Sequence, residues 1–141
     1  LKLKQKFALI LLCISPSLVL AGCVTDSGGL RTREENKLAV NGERTKFGAF
    51  WNLHPDCSAA TLPNVRIIER PAHGTAEVVT EGVFPSGAKG KYAKCNGKAV
   101  KGQEIYYTST PGYVGDDSIK LRSSYGLGYV DDVSIRVKVV K

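Results

Sequence analysis

The closing stretch DDVSIRVKVV (Asp131 to Val140) alternates strictly: Val133, Ile135, Val137 and Val139 are interleaved with Ser134, Arg136 and Lys138. A period of two puts the first set on one face and the second on the other. That is the pattern of a strand with one buried and one wet face, which marks antiparallel sheet. DSIKLRSS repeats it, with Ile119 and Leu121 on one side and Lys120 and Arg122 on the other. Beyond Glu43 no helical period persists. Short β-branched and aromatic runs follow one another instead: TKFGAFWNL, NVRIIER, GTAEVVT, KYAKC and EIYYTST. Gly, Pro, Asn or Asp bound them, and EGVFPSGAKG reads as a turn-rich connection. About seven strands spaced roughly ten residues apart predict an all-β, antiparallel two-sheet sandwich.

The N-terminal part reads differently. Lys2, Lys4 and Lys6 precede an apolar run from Phe7 to Ile14, a Ser-Pro-Ser break, Leu18-Val19-Leu20 and small residues before Cys23. This is the order of a secretory signal. Phe7 to Gly22 is 16 residues, short of the roughly 20 that a membrane span needs. Leu20-Ala21-Gly22-Cys23 resembles the lipobox of bacterial lipoproteins. The resemblance implies a diacylglycerol on the Cys23 thiol, cleavage just before Cys23, and an acyl chain such as palmitate on the new amino end. One chain binds a bilayer marginally, whereas two or three hold a domain there. Val24, in place of an aspartate, points towards the outer membrane. The expected organisation is therefore a signal peptide over 1–22, a flexible polar stalk over 23–43 and a sandwich over 44–141. A turn of helix in REENKLAV is too short to stand alone.

Cys13 falls in the leader, which leaves Cys57 and Cys95 as an even pair in an exported domain. A disulfide is the default there, and closing such a loop is worth about 4 kcal/mol. With only His54 and His73 and no C-x-x-C spacing, neither a metal centre nor a catalytic thiol assembles. Removing the three leader lysines leaves 17 basic residues against 13 acidic ones, a net charge of +4. That mild excess suits anionic envelope polymers or lipid head groups, or plain solubility, and no nucleic-acid partner is expected.

Pro71-Ala72-His73-Gly74-Thr75-Ala76, Tyr107, and Pro111-Gly112-Tyr113-Val114-Gly115-Asp116-Asp117-Ser118-Ile119 resemble the repeat of bacterial Ig-like and cadherin-like surface domains. The likeness runs from about Asn64 to Lys141. It implies an Ig-like sandwich. Ile119 stands where that family usually has Phe, and Cys57 and Cys95 are additions to its pattern. The two glycines suit a tight corner, and Tyr113 is expected to bury its ring with its hydroxyl near a polar partner.

Two carboxylate pairs, Asp116-Asp117 and Asp131-Asp132, fall at the ends of neighbouring strands. Opposed acids can act on a glycosidic bond or hold Ca²⁺. Adjacent residues of a strand point to opposite faces, however, and turn capping is the plainer reading. GAKGKYAKCNGKAVKGQ (Gly87 to Gln103) holds five lysines, among them Lys91 and Lys94, and suits either a polyanion or a solvated loop. Tyr125 and Tyr129 flank a glycine-rich hairpin, where they either contact a sugar or protein partner or pack against the rim. The expectation is a non-catalytic, cofactor-free binding or structural module of the cell envelope. It would be lipid-anchored, meeting an envelope protein or polysaccharide through Tyr125, Tyr129, Lys91 and Lys94. The alternative is a Ca²⁺-dependent carbohydrate-binding or small carbohydrate-active domain built on the aspartate pairs.

Overall fold

The computed structural model describes residues 26–141. The leader over 1–22 and the expected lipid site Cys23 lie outside the described residues. Among the described residues eight strands, one of them only two residues long, form two packed sheets. They are β1 (Asp26–Ser27), β2 (Leu30–Val40), β3 (Arg44–Phe50), β4 (Asn64–Glu69), β5 (Gly74–Val83), β6 (Val100–Ser109), β7 (Gly115–Ser124) and β8 (Val130–Val140). One sheet runs β1-β2-β8-β7-β4 and the other β3-β6-β5. The chain is an all-β sandwich.

The alternation in the sequence sets the layers. Val133, Ile135, Val137 and Val139 of β8 and Ile119 and Leu121 of β7 are all buried. They meet Phe47 and Phe50 of β3 and Ile105 and Tyr107 of β6 in one core. The Phe47 and Tyr107 rings stack 5.2 Å apart. Burying side chains of this size is worth roughly 1.5–3 kcal/mol each, so this seam dominates the fold. In the corner between β6 and β7, Gly112 (φ 88°) and Gly115 (φ 149°) take backbone conformations that side chains resist. Tyr113 there donates its hydroxyl to the Asp116 carbonyl at 2.6 Å, and the His73 ring lies parallel to it at 4.1 Å.

Four expectations need correction. Leu30 to Val40, expected within the stalk, is the 11-residue strand β2, so the sandwich begins before residue 44. β2 pairs with β8 along its whole length and in parallel, so the larger sheet is mixed and not purely antiparallel. The physical reason is that β8 supplies the hydrogen-bonding ladder, while β2 itself buries only Ala39. Arg33, Glu35 and Lys37, on the same side of β2 as Ala39, pair with one another at 3.4 and 3.1 Å at the rim of the sandwich. Inward-pointing charges of this kind also blunt an open sheet edge. KYAKC is not a strand: Gly90–Cys95 is a short 3-10 helix. Asn96 closes its loop by exchanging two hydrogen bonds with the Ala88 backbone, at 2.9 and 3.0 Å. Finally, β5 continues through EGV to Val83, into the segment read as a connection.

A disulfide joins Cys57 to Cys95 across 38 positions. It fastens the β3–β4 loop to the 3-10 helix. Beneath it, Leu53, Val83, Cys95 and Val100 make a second small core, with Trp51 and Tyr92 packed against it. This cluster gives the long loops at one end of the sandwich an anchor of their own.

Candidate functional site

The ladders define the two ends of the molecule. Leu30 pairs with Val130, which pairs with Ser124, which pairs with Asn64. In the other sheet Phe50 pairs with Gln103, and Val83 with Val100. The β3–β4 loop, the β5–β6 loop and the Tyr125–Tyr129 hairpin therefore gather at the end where the chain enters at Asp26.

The aspartate pairs are not brought together. Asp116 pairs with Lys138 across the ladder, and Asp132 with Arg122. The six residue steps from Asp132 to Lys138 along β8 separate the pairs by about 20 Å, whereas glycosidic acid pairs stand roughly 5–10 Å apart. Each carboxylate is also engaged. Asp131 accepts two hydrogen bonds from Arg31 at 2.6 and 2.9 Å. Asp132 accepts two from Arg122 at 2.7 and 2.8 Å, and that contact holds its carboxyl below the usual carboxylate range. Asp116 pairs with Lys138 at 3.1 Å. Asp117 accepts the amides of Ala72 and Ser118 at 2.9 Å and of His73 at 3.0 Å, and the Tyr107 hydroxyl at 2.9 Å. Burial pushes its carboxyl up, but these four donors outweigh burial and hold it low. Among the described residues no group of three or more His, Cys, Asp or Glu is placed to hold a metal ion. A groove of about 740 Å³ at this far end runs past Leu38, His73 and Lys138, and its acids are these same committed ones.

The entry end is different. Tyr125 and Tyr129 tilt against each other at 6.2 Å, and the Arg31 guanidinium lies 3.9 Å from the Tyr129 ring centre. They do not behave alike. Tyr125 packs against the main core, and burial pushes its hydroxyl up. Tyr129 stays at the rim under Arg31. A cleft of about 450 Å³ opens beside them, walled by Arg31, Arg33, Trp51, Phe84, Tyr125 and Tyr129. Phe84 and Leu127, at 64 % and 63 % exposed, are large apolar side chains left in solvent at this end. Lys91 and Lys94 stand exposed on the 3-10 helix.

Arg31, Arg33, Trp51 and Phe84 escaped the sequence reading. The two arginines fall in the polar segment expected as stalk, where Glu34 breaks any alternation of charged and neutral residues. Trp51 and Phe84 reach the cleft only through non-local packing. One buried acid lies elsewhere: Glu104 of β6, 2 % exposed, meets Lys46 at 3.1 Å, with its Oε1 unpartnered. It lines neither the far-end groove nor the entry-end cleft. No family model, curated protein or solved structure matches the chain.

Proposed function

We propose that the chain is a lipid-anchored, non-catalytic binding module of the bacterial cell envelope. In this reading it is an Ig-like sandwich held through Cys23 at a membrane, the outer membrane first among them. It makes contact with its surroundings through the loops of its entry end. The observation that carries the reading is the convergence at that end. Trp51, Phe84, Tyr125 and Tyr129 meet Arg31 and Arg33 around one cleft, with Phe84 and Leu127 standing free. Aromatic residues and arginine are the side chains enriched at contact surfaces. The carboxylates, in contrast, are spent on arginines, a lysine and backbone amides.

The test places a photoreactive residue at Leu127 or Phe84 of the full chain and irradiates whole cells. An adduct with an envelope component at either position is the expected result. A folded chain that captures nothing at both positions overturns the contact surface. Metabolic labelling with a clickable fatty acid tests the anchor separately, and an unlabelled chain overturns it.

A further inference from the structure

We propose that the occupant of this end is an anionic lipid bilayer: Phe84 and Leu127 seat in the interface, and the Lys89–Lys101 segment lies against the head groups. The inference rests on the contact surface proposed above and names its partner. Four observations carry it. Residues 1–25 join the described chain at Asp26, at the same end as the Tyr125–Tyr129 hairpin; Val130 there bonds back to the Gly29 carbonyl at 2.8 Å. Only Val24 and Thr25 separate Cys23 from β1, a reach of at most ~10 Å, since the segment expected to lift the domain away is folded into the sheet as β2. Phe84 and Leu127 leave large apolar surfaces exposed there. From Phe84 to Gln103 the chain carries Lys89, Lys91, Lys94, Lys98 and Lys101 and no acid; all five are exposed, and none forms an ion pair with a described residue.

Apolar side chains flanked by lysines make up an interfacial surface. The side chains enter the head-group boundary while the ammonium groups meet anionic lipid. Each lysine near such a surface raises affinity about fivefold. The opposite end also exposes Leu38, Val40, Val114 and Val140, but no acid-free run of lysines accompanies them: Asp116 is exposed beside Lys138, and Glu43 is exposed between β2 and β3.

The full chain, reconstituted in vesicles of phosphatidylethanolamine and phosphatidylglycerol, is irradiated with a photoreactive residue at Phe84, at Leu127 or at Val114. Val114 is 47 % exposed at the far end and serves as the control. Lipid adducts at Phe84 and Leu127 but not at Val114 are expected. Adding Lys91→Glu and Lys94→Glu lowers their yield at least about fivefold, with an unchanged melting curve. No lipid adduct, equal yield at Val114, or a yield indifferent to the charge reversal overturns the proposal. Protein adducts alone at both positions in whole cells overturn it as well, yet leave the binding module standing. An adduct at neither position in any setting removes both.

Discussion

The Tyr107 hydroxyl, on β6 of the smaller sheet, donates to Asp117 Oδ2, on β7 of the larger one, at 2.9 Å. The same carboxylate accepts the amides of Ala72 and His73 in the β4–β5 turn. A residue that resembled half of a metal or catalytic pair is therefore a cross-sheet latch.

Asp117→Ala removes the shared acceptor and is expected to cost about 1–2 kcal/mol, the range for losing hydrogen bonds at a half-buried site. Tyr107→Phe deletes one donor and costs about 1 kcal/mol. Urea midpoints measure both. If the latch is real, the double variant loses less than the sum, because both changes break one contact.

Acid should loosen the fold through the same group. Asp117 and Asp132 titrate below the ordinary carboxylate value in the folded chain. Their contribution is thus complete above about pH 4, the unfolded value, and is lost as pH falls through the depressed folded values. Urea midpoints recorded from pH 7 down to pH 2 should decline at the acid end, and Asp117→Asn should flatten that decline.

Replacing Cys57 and Cys95 together by serine is expected to lower stability by about 4 kcal/mol on the chain-entropy picture. The loss should appear first in the entry-end loops, whose small core surrounds the bridge. Thiol counting on the unreduced protein gives no free thiol at either position, and hydrogen exchange in the double variant shows the loops opening before the sheets.

The two hairpin tyrosines should separate in a stability assay. Tyr125→Ala leaves a gap against the main core and costs roughly 2–4 kcal/mol. Tyr129→Ala takes away a rim ring under Arg31 and moves the melting curve little. Equal losses would contradict the difference in packing against the core. Contact assays at this end are therefore better served by exposed Phe84 and Leu127 than by the tyrosine pair.

Alternate amides of Thr32 to Val40 should exchange slowly with deuterium, since those facing β8 are bonded in the ladder and the others, beyond the two residues paired with β1, face an open edge. Uniformly fast exchange over the segment would restore the stalk.

The sequence made the sandwich legible wherever apolar residues alternate, as in β7 and β8, because burial itself writes that pattern. β2 was illegible for the converse reason. Its ladder is made of backbone groups that every sequence possesses, and its own side chains bury almost nothing. The aspartate pairs were found but not placed, since their roughly 20 Å separation depends on which ends of β7 and β8 meet. The sequence puts Tyr125 and Tyr129 together, yet only tertiary packing tells the ring set against the core from the one at the rim.

The parallel pairing of β2 with β8 has a mechanical consequence. Traction applied between Leu30 and Val140 acts lengthwise along both strands, so eleven facing pairs share the load in shear and must yield as a block. Hauled from those two residues, the sheet resists like a lap joint; a hairpin under the same pull would open rung after rung.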